Sequence, residues 1–249
     1  MNSKKIIPYG RQFISSEDLD LVKNSLTQNL ITTGNFVKTF EKKLRSKLNS
    51  KYVLTCNSGT SAIYLAFMSM GLKRGDNIIL PAINFVASAN MAKIIGANIF
   101  LADVDSVTGQ VTKKTIQDCI NKNKLKKIKL LVTMFLGGNP LFIEDYYALK
   151  KKYNFLILED ACHALGAKYK LNQKIFKVGS CKHSDISIFS LHPLKSITTG
   201  EGGIISTNNK FFFENCKLLR SHGMVKNANY YNFKYDIVMS GFNFRLSDI

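Results

Sequence analysis

The sequence predicts an α/β fold built on a mostly parallel sheet with helices on both faces. Short apolar runs alternate along the chain with longer stretches whose apolar residues recur at helical spacing, the two periods that separate strand from helix. Small residues and glycines punctuate most of the joins, as turns and helix ends require. Of the 249 residues, 45% are hydrophobic, with 17 Phe and 10 Tyr. That is enough for one large core and too much for a disordered, charge-dominated chain.

Taken in order, residues 16–26 read as an amphipathic helix with Leu19, Val22 and Leu26 on one face and a capping start at Ser15 and Asp18. Residues 36–48 repeat the helical period through Phe36, Phe40, Leu44 and Leu48. The period then shortens: residues 52–56 form a buried strand, the small residues from Asn57 to Ser61 a turn, and residues 62–70 a helix stopped by Gly71. Residues 77–80 are a strand ended by Pro81, residues 85–95 a helix ended by Gly96, and residues 98–102 the next strand. A helix over 113–123, a strand over 128–135, a helix over 143–153 and a strand over 155–158 running into Glu159-Asp160 continue the alternation. A hairpin is expected around 170–173, strands over 186–189 and 203–206, and a helix over 209–220. No tandem repeat or long linker interrupts the series. In such sheets ligands bind beyond the carboxyl ends of the strands, so the residues just after each strand are the ones to inspect.

The formal net charge is +18, but only five of the 35 basic residues are arginine. Lysine is a hydrated point charge, poorly matched to bidentate recognition of bases. The excess reads as solvated lysine faces with a weak pull toward anionic metabolites, and a nucleic-acid partner would rest on charge alone. Five irregularly spaced cysteines encode neither a disulfide framework nor a zinc site. No apolar run approaches the roughly 18 residues of a membrane helix. The opening residues up to Pro8 lack the apolar stretch of a signal peptide, so a mature, cytosolic chain without membrane partners is expected.

Several strand ends are polar in a chain otherwise apolar at strands: Ser58-Gly59-Thr60-Ser61, Asn84-Phe85, Asp160 with His163, and Ser190 followed by His192-Pro193-Leu194-Lys195. Each has an ordinary explanation as helix cap, core histidine, core aromatic or surface lysine. Together they offer a lysine able to form an imine, a carboxylate for a pyridine nitrogen, an aromatic ring and donors for a phosphate, the requirements of a pyridoxal phosphate site.

The stretches Asn57-Ser58-Gly59-Thr60-Ser61-Ala62, Pro81-Ala82-Ile83-Asn84-Phe85-Val86-Ala87, Glu159-Asp160-Ala161-Cys162-His163-Ala164-Leu165-Gly166, Ser190 to Gly203 and Gly241-Phe242-Asn243-Phe244-Arg245-Leu246 resemble the DegT/DnrJ/StrS family of sugar aminotransferases. They stand in family order over about residues 7–249. Within the family, Arg220-Ser221-His222-Gly223-Met224 and Pro8-Tyr9-Gly10 are most similar to the branch that serves pseudaminic acid biosynthesis.

The resemblance implies the large domain of a fold type I, aspartate aminotransferase-like enzyme that uses pyridoxal 5′-phosphate. Lys195 would hold the cofactor and shuttle a proton, Asp160 would pair with the pyridine nitrogen, and His163 would sit near the ring hydroxyl. Phe85 would stack on the ring, Gly59, Thr60 and Ser190 would receive the phosphate, and Asn243 would reach the cofactor of a neighbouring subunit in a homodimer with shared sites. Tyr9, Asn29, Leu30, Ile31 and Thr32 match positions facing the nucleotide sugar. The implied reaction moves an amino group from L-glutamate to a UDP-4-keto-6-deoxy-N-acetyl-hexosamine for surface polysaccharide or flagellin glycans. Residues 1–30 would form an amino-terminal arm and helix, and residues 31–249 the cofactor-binding domain. A small carboxyl-terminal domain present in relatives would be missing. A different keto nucleotide sugar, or a catalytically silent cofactor-binding fragment, remain the alternatives.

Overall fold

The computed structural model describes residues 9–226 and 234–249; the sequence readings for residues 1–8, Pro8 among them, lie outside the described residues. Five strands come first: β1 (Tyr52–Cys56), β2 (Asn77–Pro81), β3 (Asn98–Ala102), β4 (Leu130–Met134) and β5 (Leu156–Asp160). The hairpin β6 (Lys168–Leu171) and β7 (Lys174–Lys177) follows, then β8 (Ile186–Ser190), β9 (Gly203–Thr207) and a short ribbon of β10 (Met224–Lys226) and β11 (Tyr235–Ile237). One sheet holds seven of them in the order β1-β9-β8-β5-β4-β2-β3. Only β9 runs against the others, antiparallel to both β1 and β8, while the pairs from β8 to β3 are parallel. The carboxyl ends of β1, β8, β5, β4, β2 and β3 therefore share one edge of the sheet.

The helices are α1 (Ser16–Leu26), α2 (Asn35–Leu48), α3 (Gly59–Ser69), α4 (Ala87–Ile95), α5 (Lys113–Lys122), α6 (Ile143–Tyr153) and α7 (Lys210–Arg220). They divide between the faces. Leu44 and Leu48 of α2, Ile116 of α5 and Leu149 of α6 bury against Val53, Ile79 and Ile157 on one side. Leu65 and Phe67 of α3, Ala92 of α4 and Phe212 of α7 bury against Leu54, Ile78 and Ile188 on the other. A sheet buried on both faces needs near-continuous apolar strands, and β4 (Leu-Leu-Val-Thr-Met) is buried at every position.

Local signals explain most boundaries. Helix α1 opens on the expected capping box, Ser15 receiving the Asp18 N–H and Asp18 reaching back to the Ser15 N–H. Its apolar stripe is not buried, however: Leu19 and Leu26 are more than half exposed, and Ser25 is its one buried residue. Helix α4 stops at Gly96, which takes the left-handed conformation at its carboxyl end. The hairpin turns through Asn172 and Gln173, both at positive φ, the geometry a two-residue hairpin loop favours.

The structure also corrects several boundaries. Helix α3 begins at Gly59, with Ser58 as cap, so the stretch read as a turn is the helix's first turn. Helix α4 begins at Ala87, two residues later than expected, because Asn84 and Phe85 are spent on the turn after β2. Pro81 closes β2 from inside, paired with Ala102. The ribbon β10–β11, with three residues in each strand, is too short for a period to reveal.

Candidate active site

The common carboxyl edge collects the chemistry. After β1, the Ser58 hydroxyl accepts from the Ser61 N–H at 3.0 Å and lies 2.9 Å from the Ser61 hydroxyl. Ser61 in turn donates to Asn57 Oδ1 at 2.7 Å. This fixes the opening of α3, whose first-turn N–H groups at Gly59 and Thr60 have no acceptor within the helix and carry its positive end. Ser190, at the end of β8, lies directly against that turn: a Cβ on Gly59 would stand 3.0 Å from Ser190 Cβ. Two amides at a helix start and a hydroxyl beside them make an anion cradle. Replacing Gly59 by Ala is expected to force the cradle open by a few tenths of an ångström and to weaken pyridoxal phosphate binding about tenfold, about 1.4 kcal/mol. An absorbance titration reads it, and an unchanged affinity would mean that Gly59 and Ser190 do not share the phosphate.

Asp160, at the end of β5, is 2% exposed. The Cys162 N–H donates to its Oδ1 at 3.3 Å, and no ion pair within 4.0 Å reaches it among the described residues. Burial pushes its carboxyl above the ordinary value, opposed by its hydrogen bonds with Cys162 and by the charges of His163 and Lys195. Burial likewise lowers His163, with Lys195 lowering it further and Asp160 pulling it up. The Cys162 thiol is pushed well up by burial and by Asp160, and Lys195 opposes both. These shifts place Asp160, Cys162, His163 and Lys195 in one electrostatic neighbourhood.

Lys195 stands in the segment between β8 and β9. That segment closes on itself through Leu191 N–H to Gly202 O at 2.8 Å and Thr199 N–H to Leu191 O at 3.1 Å, and a turn from His192 O to the Lys195 N–H at 2.9 Å presents the lysine. The Ser190 hydroxyl also accepts from the His192 N–H at 3.2 Å, linking cradle to lysine turn. Phe85 projects from the same edge, 72% exposed, its N–H held by Asn84 Oδ1 at 2.7 Å. Beside it Asn84 Nδ2 is buried without a hydrogen-bond partner, an uncommon state for a buried donor.

The donor set fits pyridoxal phosphate. The cradle suits a phosphate, the buried acid suits a protonated pyridine nitrogen, Lys195 suits an aldehyde, and the orphaned Asn84 amide leaves a donor at the edge. The remaining expected residues are exposed. Tyr9 is 97% exposed, although its neighbour Gly10 packs on Leu194, a Cβ there falling 3.1 Å from Leu194 Cδ2. Asn29, Leu30, Ile31 and Thr32 are exposed ahead of α2. Asn243 is exposed and bridged antiparallel to Ser221. Its neighbour Phe244 accepts the Asn57 N–H at 2.9 Å, so its strand abuts the approach to the cradle. Sequence reasoning passed over Cys162 and Asp248, and it noted Asn84 and Glu159 at strand ends without giving either a role. Cys162, two residues after Asp160 at a strand end, was the one whose position alone could have signalled a role.

Residues 12–249 match the DegT/DnrJ/EryC1/StrS aminotransferase family. The UDP-4-amino-4,6-dideoxy-N-acetyl-β-L-altrosamine transaminase of Campylobacter jejuni (strain 81-176) is 38% identical over 98% of this chain and 62% of its own length. The structure of Helicobacter pylori PseC, an aminotransferase of pseudaminic acid biosynthesis, superposes with a TM-score of 0.88 at 32% identity, over 98% of this chain and 62% of that one. A putative sugar aminotransferase from Streptococcus pneumoniae, Spr1654 in its PMP form, does so with a TM-score of 0.85 at 25% identity, over 97% and 63%. The chain thus spans less than two thirds of the length of these relatives.

Proposed function

Because the chain belongs to the DegT/DnrJ/EryC1/StrS aminotransferase family, we propose that it carries the cofactor half of a nucleotide-sugar aminotransferase, moving an amino group from L-glutamate to a UDP-4-keto-6-deoxy-N-acetyl-hexosamine. One observation carries the reading: the cradle at Gly59 and Ser190 and the neighbourhood of Asp160, His163 and Lys195 meet at one edge of the sheet. The altrosamine transaminase of C. jejuni supports the choice of sugar. Bound there, pyridoxal 5′-phosphate supplies an aldehyde for the migrating amino group and a ring that accepts the electrons released at the reacting carbon.

The residues of the chain do the rest. Gly59, Thr60 and Ser190 anchor the phosphate, and Asp160 keeps a proton on the pyridine nitrogen. His163 borders the ring hydroxyl, and Phe85 covers a ring face and excludes water from it. The Lys195 amine would hold the cofactor's aldehyde carbon and, when free of it, would take a proton at the donor carbon and return one when the keto sugar is the acceptor. Tyr9 and residues 29–32 receive the nucleotide sugar. Asn243 serves the cofactor of a second copy, which makes the working unit a homodimer with residues 31–249 as the cofactor-binding body. Among the described residues no helix is long and apolar enough to cross a membrane, in keeping with cytosolic work on a soluble nucleotide sugar.

The purified chain mixed with pyridoxal phosphate is expected to develop a visible absorbance band that Lys195→Ala abolishes, while Lys195→Ala still folds. Glutamate should bleach the band, with release of 2-oxoglutarate. Among UDP-, dTDP- and GDP-linked keto sugars, the UDP-linked 4-keto-6-deoxy-N-acetyl-hexosamine should restore it best. A band that survives Lys195→Ala overturns the assignment. A band without amino transfer reduces the chain to a cofactor-binding piece.

A further inference from the structure

The opening of α2 lacks every cap its own sequence could supply. Its N-cap, Gly34, has no side chain, and its first turn contains no acid, although the four leading N–H groups of a helix need acceptors. The acceptor comes from the other end of the sequence. Asp248, 6% exposed, takes the Gly34 N–H on Oδ2 at 2.7 Å and the Val37 N–H on Oδ1 at 2.9 Å. A side chain at position 34 would block it, since a Cβ there would stand 3.0 Å from Asp248 Oδ2 and 2.9 Å from Leu30 O. The backbone completes a clamp: the Asp248 N–H donates to Ile31 O at 2.8 Å, and Thr32 and Ser247 form an antiparallel bridge.

Between the bridge and the cap lies Thr33, at φ 55°. A β-branched residue resists the left-handed region and stays there only where its surroundings enforce it. Here both neighbours are held by the same residue pair, Ser247 and Asp248. Thr33 and Gly34 also line a cavity of about 130 Å³ in which Glu41 is paired with Arg220 at 3.0 Å, leaving the cations of Lys38 and Arg245 as the surplus that suits a phosphate group. The segment bearing Asp248 is the one that bears Asn243 and, through Phe244, accepts the Asn57 N–H ahead of the cradle.

We propose that Asp248 is a positioning residue for nucleotide-sugar binding: its buried carboxylate caps α2 in place of a local side chain and holds residues 29–33, strained Thr33 included, in the one shape that receives the diphosphate-linked sugar. The inference rests on the proposed substrate class, and it assigns to the carboxylate an effect on sugar affinity separate from cofactor affinity.

The test uses the full chain loaded with pyridoxal phosphate, as wild type, Asp248→Ala and Asp248→Asn. Amide hydrogen exchange without nucleotide reads the clamp. UDP-N-acetylglucosamine, a stable nucleotide sugar, is the binding probe, and the absorbance band reports cofactor loading. Expected in Asp248→Ala are at least tenfold faster exchange at Gly34 and Val37, about tenfold weaker UDP-N-acetylglucosamine binding, and cofactor affinity within twofold of wild type. Asp248→Asn, which keeps one carbonyl oxygen as acceptor, should fall between the two, and it carries the test alone if Asp248→Ala does not fold. Unchanged exchange overturns the clamp. Faster exchange with full sugar affinity, or sugar and cofactor affinity falling together, overturns the positioning role. A wild-type chain that loads cofactor but binds no nucleotide sugar overturns that role together with the substrate reading, and is told apart from failure of the clamp by the exchange data.

Discussion

Asp160→Asn is expected to raise the stability of the cofactor-free chain while lowering amino transfer about 10²–10³-fold, the usual range for losing a placed charge in an active site. The opposite signs have one cause. Asp160 is 2% exposed in the middle of the sheet, between β4 and β8. Its hydrogen bonds come from Cys162, and its carboxyl is pushed upward chiefly by burial. A buried charge without an ion partner costs folding free energy. An amide of the same shape removes that cost, on the order of 1–3 kcal/mol. The charge becomes useful only against a cationic ring nitrogen, so the wild-type chain should gain more thermal stability from pyridoxal phosphate than Asp160→Asn does. Melting curves of both proteins with and without cofactor decide the matter. A lower melting point for cofactor-free Asp160→Asn, or an equal gain from cofactor, would sink the idea that Asp160 is stored against a cation.

That trade was half legible in the sequence. An acid pair at the end of an apolar strand stands out by composition, and strands β1 and β3 and helix α6 begin and end at the residues where the period changes. Helix ends were readable wherever a residue has a conformational reason to be there, as at Ser15 and Gly96. Strand direction was not. Strands buried on both faces carry no alternation, so nothing local shows that β9 runs against β1 and β8. One hint existed: residues 191–202 lack the helical period that a parallel crossover usually needs. The cradle was legible in part: Ser58-Gly59-Thr60 already offers a helix cap and donors for a phosphate, but only the fold shows that the helix starts at Gly59 and that Ser190 lies against it. Asp248 was out of reach, since it caps a helix 211 to 214 positions away and no window along the chain contains both partners. In α1 the apolar stripe suggested burial, but the helix is held by its capping box and leaves Leu19 and Leu26 in the open.

Glu159, the other acid of the pair, faces a different fate and supplies the largest expected dependence of stability on pH. It is 4% exposed and stands opposite Ser187 of β8 in the register that also pairs Asp160 with Ile188. The Ser187 hydroxyl donates to its carboxyl. Around that hydroxyl lie Ser184 Oγ and Cys181 Sγ, each at 3.4 Å. The charged group nearest in effect is Asp185, itself held by Lys150 at 2.7 Å. Burial pushes the Glu159 carboxyl up from 4.5 to about 7, against the pull of Ser187 and Ser184. The sign follows from comparing the two states. Below pH 4.5 the group is protonated whether the chain is folded or not, and its contribution is whole. Between 4.5 and about 7 the unfolded chain ionises freely while the folded one resists, so stability falls through that window and levels off above it. The full difference corresponds to about 3 kcal/mol at 1.36 kcal/mol per unit. Glu159→Gln keeps an acceptor for Ser187 and cannot ionise, so its urea midpoint should change little from this cause between pH 5 and 8, while that of the wild type drops. Asp160 is raised by burial too and adds a decline of the same sign, so Glu159→Gln should remove part of the slope and the double variant with Asp160→Asn more of it. Urea melts of the three proteins across that range measure each share, and parallel profiles for wild type and Glu159→Gln would place the pH sensitivity elsewhere in the fold.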